Sequence, residues 1–472
     1  MTVTIARLLT VPAVGGYYCE DLEALQADSV PLSERYTAPP ATPGFRAVRE
    51  VAEALSVGLV LDDGRVAWGD CVGVAYAGKA GRDPVFRAGE GEATIRRTVA
   101  PILEGRKVLA FRPLAEEIDR LTEPVEVERP KEGFSRRDFL TTPARLLEAA
   151  VEGTEKGLAP VERVTVERPL HTAVRYGVSQ ALLAAVAMAR GVTMAEVIAE
   201  EWELPPPTEP VPIHAQSGTD RYANAEKMIV RRLASLPHAL VDDIPSQVGQ
   251  DGTKLVQYVR WLRARIQELG GADYRPTIHL DVHGALGRIC DNDLGRLLGR
   301  LYALEKAAQP YPLRVESPLI LETREAQIEA MARLREYVRM RGMSVQLVAD
   351  EWANTLEDIQ AFVEAGAADL IQVKMPDLGS VHNAVEAVLT CKRGGVEAFL
   401  GGSCVETDVS ARVSVHVALA TRPAMMLAKP GMGVDEGVMV VSNEMARTLA
   451  LVRAREGGKN HRGTEDTEDL IN

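Results

Sequence analysis

Three carboxylates and one lysine stand where short apolar runs end, and their spacing predicts that they meet. Asp281 stands in HLDVHG, Glu316 in RVESP and Asp350 in LVADE, and Lys374 follows in LIQVKMPD. The separations of 35, 34 and 24 residues each suit about one β-strand with its following helix. Consecutive parallel strands would therefore carry all four side chains to one rim of a barrel.

This combination suits removal of a proton from a carbon next to a carboxylate. Three unpaired carboxylates repel each other, and a divalent cation between them removes that repulsion. Oxygen ligands without His or Cys select a hard ion, Mg²⁺ before Mn²⁺. The ion would lower the pKa of the adjacent Lys374 and stabilise the enediolate that forms, so the metal and the base would act together.

Each of these residues also has an ordinary structural interpretation. A lysine at a strand end can reach solvent or an ion pair, and a single Asp or Glu there is more often a helix cap or a surface group. The metal hypothesis therefore depends on three carboxylates on successive strands and not on any one of them.

His238, in LPHA, would lie across the barrel from Lys374. It can donate to a substrate carboxylate or act as an acid or base on the opposite face, although an isolated His before an apolar run is as often structural. Gln216 and Gln372 add uncharged donors suited to a carboxylate.

Two glycines precede Ser403 and Cys404 at the end of another apolar run. The serine hydroxyl and free backbone N–H groups predict an anion site there. The Cys404 thiol is a weaker candidate for a nucleophile, because no base stronger than His238 is suggested for it.

The elements that must position these residues follow a proline-rich stretch at 205–210. Apolar runs alternate there with helical stretches, which predicts a (β/α)8 TIM-type barrel with its site at the C-terminal ends of the strands. The eight predicted strands are 211–216, 238–243, 277–284, 313–318, 345–351, 370–376, 398–404 and 425–433.

The first 204 residues predict a separate α+β domain. Two strands are expected around an Asp-Asp-Gly turn within 57–68, and helices at 92–103, 115–121, 142–155 and 172–201. The glycine-rich stretch 76–84 lacks a phosphate-binding fingerprint, so we expect a flexible surface loop or a lid. The predicted organisation is an α+β domain at 1–204, the barrel at 205–455 and a polar, disordered tail at 456–472.

Composition narrows the partners and the compartment. The net charge of −13, with Lys and Arg scattered, argues against nucleic acid and a membrane surface. Five cysteines without a CxxC pair argue against disulfides and zinc and favour the cytoplasm. The N-terminus lacks a signal-peptide pattern, and we expect residues 173–189 to form a buried helix and no segment to span a membrane.

Motifs across 205–455 resemble the methylaspartate ammonia-lyases of the enolase superfamily. A lysine on the sixth strand with a histidine, in place of a KxK pair, on the second separates the chain from the racemase and epimerase branches. CVGVAYAGKAGRDPVF is similar to the superfamily's capping domain. The barrel motifs are QSGTDRY, LPHALVDD, LDVHG, VESP, LVADEW, QVKMPDLGS, GGSCVETD and LAKPGMGVDEG.

The resemblance implies a carbon–nitrogen lyase of glutamate degradation. Mg²⁺ would be held by Asp281, Glu316 and Asp350, and Lys374 would remove the C3 proton of L-threo-3-methylaspartate. Ammonia would leave C2 to give mesaconate, with amine addition as the reverse reaction. The resemblance also implies activation by K⁺ and a homodimer.

The resemblance also assigns the substrate contacts. His238, helped by Gln372, would hydrogen-bond the metal-bound carboxylate and can act on the epimer. The other carboxylate would be held by Gln216, Ser403 and the Cys404 amide, and Leu427 would line the pocket near the substituents.

Two positions depart from the family pattern. Family members can have Thr at the position of Ser403, and Gln is expected at the position of Ala75, so the contacts of this domain to the substrate amine stay open.

Two other functions also stay open. One is a different proton abstraction of the superfamily, such as acid-sugar dehydration or racemisation. The other is a carboxylate-binding protein without catalysis, against which Lys374 argues.

Overall fold

A computed structural model describes residues 3–27, 30–31, 33–130, 161–218, 220–241, 243–430 and 434–468. Residues 1–119 and 171–472 form one compact unit and residues 120–170 a second. The proline-rich stretch at 205–210, where we expected a domain boundary, lies within the first unit. The helix expected at 142–155 falls outside the described residues.

An antiparallel sheet in the order β1–β2–β3 opens the first unit. Its strands are β1 (Ile5–Glu20), β2 (Arg49–Leu61) and β3 (Val66–Val72). The two strands predicted around the Asp-Asp-Gly turn are β2 and β3, so that prediction is confirmed. The second unit contains an antiparallel pair, β4 (Thr122–Pro130) with β5 (Val161–Pro169).

Helices of the N-terminal half follow the predicted pattern more closely than the strands do. A π-helical segment, Ile95–Val99, separates the second and third of them. They are α1 (Leu22–Ala27), α2 (Ala88–Thr94), α3 (Ala100–Leu103), α4 (Phe111–Asp119), α5 (Thr172–Arg190) and α6 (Met194–Glu201).

Helix α5 forms the core of this half. By length and composition it is apolar enough to cross a membrane, but 72% of its apolar window is buried inside the protein. It packs directly on β3, where the backbones of Gly69 and Gly177 approach closely. The prediction of a buried Ala-rich helix is therefore confirmed.

Eight parallel strands close into a barrel, as predicted. Seven of the eight observed strands are shorter than predicted, because most of the residues predicted at their C-terminal ends belong to the loops that form the rim. The second barrel strand also begins earlier, at Ser235, so His238 lies inside it. The strands are β6 (Ile213–His214), β7 (Ser235–Leu240), β8 (Thr277–Asp281), β9 (Leu313–Glu316), β10 (Gln346–Ala349), β11 (Leu370–Lys374), β12 (Glu397–Gly401) and β13 (Met425–Leu427).

Helices surround the barrel and alternate with its strands. A π-helical segment, Ile244–Val248, precedes the second of them. They are α7 (Arg221–Val230), α8 (Thr253–Leu269), α9 (Ala285–Ile289), α10 (Leu294–Ala308), α11 (Arg324–Met340), α12 (Leu356–Glu364), α13 (Val381–Arg393), α14 (Asp408–Thr421) and α15 (Val434–Glu468).

Helix α15 extends past the point at which we expected the chain to lose structure. It runs to Glu468, whereas a disordered tail was predicted from residue 456. A polar segment without hydrophobic periodicity can continue a helix whose earlier turns are packed, because charged residues have adequate helix propensity. Residues 469–472 lie outside the described part.

We predict that Gly177→Ala destabilises the protein by about 1–3 kcal/mol, the usual effect of overpacking a tight core. A Cβ at this position would lie 2.4 Å from the Cys71 nitrogen and 2.5 Å from its Sγ, so backbone must move. Urea unfolding measures the loss. Gly89→Ala is the control, because no atom lies within 4 Å of its Cβ position; equal stability of the two variants would contradict the prediction.

Candidate active site

A cavity lies at the C-terminal ends of the barrel strands and is closed by the N-terminal half. Most of the predicted site residues line it, and they come from β6, β7, β8, β10, β11 and β12 and the loops after them. The barrel contributes Gln216, His238, Asp281, Asp350, Gln372, Lys374, Ser403 and Cys404. The N-terminal half contributes Tyr17, Glu20, Ala75, Tyr76 and Arg82, among others.

The first two predicted metal ligands are neighbours in the sheet. Asp281 ends β8, Glu316 ends β9, and the two residues are paired in register. Together with His238 they offer ligand atoms within 4.8 Å of one another. Asp350 follows β10 at the same rim but is held by other partners, so the structure groups two of the three carboxylates and places the third beside them.

Lys374 ends β11 and reaches Asp350. Its Nζ lies 2.8 Å from Asp350 Oδ1 and 2.9 Å from Oδ2. Burial lowers the pKa of the Lys374 amine, but the surrounding carboxylates, led by Asp350, raise it above its ordinary value. The lowered pKa expected from the sequence concerns the protein with a divalent ion bound and stays a prediction.

His238 lies in β7, four strands away from β11 in the eight-stranded ring, and so faces Lys374 across the barrel as predicted. Its Nε2 is 3.3 Å from Asp281 Oδ2 and 3.6 Å from Glu316 Oε2. Burial lowers the pKa of His238, but these two carboxylates outweigh burial and raise it, which favours the charged imidazole.

The buried charges at this rim do not cancel. Five carboxylates meet here: Asp281, Glu316, Asp350, Glu351 and Asp377. The facing cations are Arg82, His238 and Lys374. The carboxylates therefore outnumber the cations, and burial, followed by the Asp350 charge, raises the pKa of Glu351 to about 7.

A hard divalent cation fits this donor set. Buried charges are stable only when they are paired or coordinate a metal, and carboxylate oxygens are the ligands that Mg²⁺ prefers. The excess of carboxylates over cations at this rim favours such an ion. Asp281, Glu316 and Asp350 are the residues that would hold it.

Backbone conformations around the carboxylates are unusual. Four non-glycine residues at the rim have a positive φ: His238 (40°), His283 (43°), Ser317 (48°) and Trp352 (67°). Each such residue costs about 1–3 kcal/mol and persists only where its surroundings enforce it. The fold therefore tolerates strain next to each of the three predicted ligands and at the predicted acid–base residue.

The two predicted glutamines behave differently. Gln216 lines the cavity, and its buried Oε1 has no hydrogen-bond partner among the described residues, which leaves it available to a substrate. Gln372 also lines the cavity, but its Nε2 donates to Glu316 Oε1 in a short hydrogen bond.

The loop after β12 is less open to an anion than the sequence suggests. The Ser403 N–H was expected to be free but donates to Glu406 Oε2 at 2.9 Å, and the Ser403 hydroxyl accepts from the Ala75 N–H at 3.1 Å. Burial raises the pKa of the Cys404 thiol far above its ordinary value, which argues against a nucleophile. All five cysteines are free and buried.

A buried ion pair supports this loop. Lys429 Nζ lies 3.1 Å from Glu406 Oε2 and 3.1 Å from the Gly401 oxygen, and both charged side chains are fully buried. Tyr176 from α5 donates to Glu406 Oε1 at 2.7 Å. The pair therefore joins β12, β13 and α5 beneath Ser403.

The structure does not place Leu427 in the cavity. It is buried and packs in the barrel core with Val348, Leu370, Phe399 and Met425. The role of Leu427 near the substrate therefore stays a prediction.

Sequence reasoning missed residues that support the predicted ones. His279 Nε2 lies 2.6 Å from Glu316 Oε2, and His283 Nε2 lies 3.2 Å from Asp281 Oδ2. A signal was present, because both histidines stand two residues from Asp281 in HLDVHG. A carboxylate ligand is commonly oriented by such outer partners.

Comparison with known proteins covers both halves of the chain. The family described as "Methylaspartate ammonia-lyase N-terminus" matches residues 3–132 and 141–203, and "Methylaspartate ammonia-lyase C-terminus" matches residues 207–454. The chain belongs to the methylaspartate ammonia-lyase family. Methylaspartate ammonia-lyase 2 of Carboxydothermus hydrogenoformans is 46% identical over 455 residues, which is 96% of this chain and 100% of the relative.

Solved structures within the methylaspartate ammonia-lyase family have the same fold. The enzyme of Citrobacter amalonaticus containing (2S,3S)-3-methylaspartic acid has a TM-score of 0.83 at 41% identity, over 95% of this chain and 100% of that one. The Mg complex of the β-methylaspartase of Clostridium tetanomorphum has a TM-score of 0.81 at 41% identity, over 96% and 100%. The predicted architecture, a (β/α)8 barrel preceded by an α+β domain, is confirmed.

We predict that Lys429→Met lowers the free energy of unfolding by about 3–5 kcal/mol, because it leaves the buried Glu406 charge without its partner. Urea unfolding measures this change, and a second substitution, Glu406→Gln, should recover part of the loss. Lys227→Met is the control: its ion pair with Asp435 is nearly half exposed and contributes about 0–1 kcal/mol. A Lys429→Met variant as stable as this control would contradict the prediction.

Proposed function

We propose that this chain is a methylaspartate ammonia-lyase that converts L-threo-3-methylaspartate into mesaconate and ammonia and catalyses the reverse amine addition. The observation that carries the proposal is a buried lysine and histidine on opposite sides of a closed cavity, with carboxylates between them. Family membership over nearly the whole chain supports the same reaction.

Lys374 is the proposed base. It projects from the end of β11 into the cavity, and Asp350 fixes the position of its amine. In the proposed reaction the neutral amine takes the C3 proton, and the electron pair released forms the C2–C3 double bond as the C–N bond breaks and ammonia leaves C2. His238, on the opposite face, is placed to act in the same way on the epimer.

Mg²⁺, when held by Asp281, Glu316 and Asp350, would supply stabilisation of the negative charge that develops on the substrate carboxylate next to C3. His238 and Gln372 flank the same carboxylates and are the proposed donors to that group. A relative in the family has been solved with Mg bound, which supports this ion in preference to another.

The second substrate carboxylate is assigned to the opposite end of the cavity. Gln216, Ser403 and the Cys404 amide are the proposed contacts. The Ser403 hydroxyl supports this assignment, because it accepts from the Ala75 N–H and keeps its own proton to donate to a carboxylate. Because Leu427 packs in the barrel core, its predicted role at the substrate is not part of the proposal.

We also propose a cytoplasmic homodimer activated by K⁺. Free, buried cysteines favour a reducing compartment. The dimer and the K⁺ dependence rest on the family resemblance. Analytical ultracentrifugation tests the dimer, and replacing K⁺ by Na⁺ in the assay tests the activator.

Lys374→Ala should lower kcat by about 10²–10⁴-fold, the usual contribution of a positioned general base. The measurement is the rise in absorbance of the unsaturated diacid with 3-methylaspartate and Mg²⁺. Lys254→Ala, an exposed lysine on α8, should retain full activity. Turnover by Lys374→Ala at the unsubstituted rate would show that another group is the base.

Asp350→Asn should weaken Mg²⁺ binding, because one ligand charge is lost. Loss of an outer partner of a metal site already lowers the affinity by about 10-fold, so loss of a ligand charge should lower it by at least as much. Calorimetric titration with Mg²⁺ measures this directly, and half-maximal activation gives a second estimate. Asp435→Asn, at an exposed ion pair, is the control. An unchanged titration would remove Asp350 from the ligand set.

The two other functions considered from the sequence predict different results. An acid-sugar dehydratase or racemase of the same superfamily would bind Mg²⁺ but leave 3-methylaspartate unchanged. A carboxylate-binding protein without catalysis would bind mesaconate and show no turnover in either direction. Absence of any absorbance change with Mg²⁺ present would therefore contradict the lyase proposal.

A further inference from the structure

Among the described residues that line the cavity, Arg82 is the one arginine or lysine from outside the barrel. It stands in the glycine-rich loop 78–83 between β3 and α2, yet only 1% of its side chain is exposed. Its Nε lies 2.8 Å from Asp377 Oδ2, and its Nη2 lies 3.4 Å from Asp350 Oδ1. The Arg82 guanidinium therefore reaches from this loop to two carboxylates of the barrel.

These two carboxylates bracket Lys374. Asp350 accepts from the Lys374 amine, and the Asp377 backbone N–H donates to the Lys374 carbonyl at 3.0 Å. Arg82 thus contacts both residues that fix the position of the proposed base. Asp350 acts on Lys374 through its side chain, and Asp377 acts on it through its backbone. Asp350 Oδ1 is shared, because it is also 2.8 Å from the lysine amine.

Further contacts hold the same loop against the segment after β10. The Ala80 carbonyl accepts a short hydrogen bond from Asn354 Nδ2, and the Gly81 backbone lies over the Trp352 ring, which a Cβ there would approach to 3.6 Å. Three loop residues have a positive φ: Gly78 (73°), Ala80 (50°) and Gly81 (80°). The loop is held in one strained conformation by contacts to the segment that carries Asp350.

One part of the guanidinium has no assigned role in this packing. Arg82 Nη1 is buried, lies in a residue that lines the cavity, and has no hydrogen-bond partner among the described residues. A purely structural arginine would not be expected to leave a donor unpaired at a cavity, because an unsatisfied buried donor is costly.

We propose that Arg82 is a positioning residue that couples docking of loop 78–83 to assembly of the proton-abstracting site. When the loop docks, its guanidinium fixes Asp350 and Asp377, and these in turn fix Lys374. This inference rests on the proposed lyase function and adds an anchor from the N-terminal half that holds the base in place.

The test compares Arg82→Ala, Arg82→Lys and Asn354→Ala with the unsubstituted protein. Arg82→Ala should lower kcat by about 10²-fold, the effect of misplacing a catalytic group, with a smaller change in KM. Arg82→Lys should recover part of kcat, since it keeps the charge but cannot bridge two carboxylates. Asn354→Ala loosens the loop without changing any charge and should also lower kcat.

Hydrogen exchange of peptides covering 76–84 provides a readout that does not depend on turnover. The amides of this loop should exchange faster in Arg82→Ala and in Asn354→Ala than in the unsubstituted protein. Arg87→Lys is the matched control, because Arg87 follows the same loop but pairs with Glu50 and Glu53 of the N-terminal sheet. It should change neither kcat nor exchange.

Three results would overturn the inference: unchanged kcat in Arg82→Ala, unchanged loop exchange in Arg82→Ala, or faster loop exchange in Asn354→Ala with unchanged kcat. If Arg82→Ala does not fold, Asp377→Asn removes the charge of one of the two carboxylates that Arg82 contacts, without leaving a void, and is judged by the same criteria. If the unsubstituted protein does not turn over 3-methylaspartate, the lyase proposal fails, and exchange in Arg82→Ala still decides whether Arg82 docks the loop.

Discussion

Uncompensated negative charge at the C-terminal ends of the barrel strands is the constraint on which the rest of the site depends. Carboxylates that are removed from water must be paired or must coordinate a metal. The chain meets this requirement from three directions: Lys374 from β11, His238 from β7 and Arg82 from the N-terminal half. What remains matches a divalent cation, so metal binding and stability of the rim are parts of the same electrostatic problem.

The N-terminal half is therefore more than a cover. It contributes a cation to the rim through Arg82, a backbone donor to the Ser403 hydroxyl through Ala75, and a phenol to the buried Glu406 through Tyr176. The Arg82 contacts reach the ends of β10 and β11, and the other two reach the loop after β12. Substrate specificity and the geometry of the base are consequently set by both halves, although all proposed metal ligands belong to the barrel.

Much of this could be predicted from the sequence, because each apolar run ends in a polar residue at a spacing that only a barrel explains. Asp281, Glu316, Asp350, Lys374 and His238 were all found in this way. Local sequence patterns could not show which other residues the polar groups at the strand ends contact. The Ser403 N–H looked free because nothing in the sequence shows that the Glu406 carboxylate turns back to accept from it.

Arg82 was missed for a related reason. A glycine-rich loop is usually a mobile surface loop, and nothing within the loop shows that its arginine pairs with carboxylates almost 300 residues later. Leu427 was assigned to the pocket from a motif, whereas its packing depends on the neighbouring strands. The tail from residue 456 was predicted to be disordered from its composition, yet the last helix runs on to Glu468. A helix can continue from packed turns into residues whose own composition does not predict it.

Closure of the barrel has a consequence for the order in which the protein can be made. Strand β6 has two residues and pairs with β13 on one side and β7 on the other, so the pairing of the first barrel strand is complete only when the last strand is in place. During synthesis the carboxylates of β8, β9 and β10 would leave the ribosome before Lys374 and well before β13. Until the ring closes, these carboxylates stay in contact with water. Because burying them early is costly, the barrel is expected to collapse only when the final strand is available.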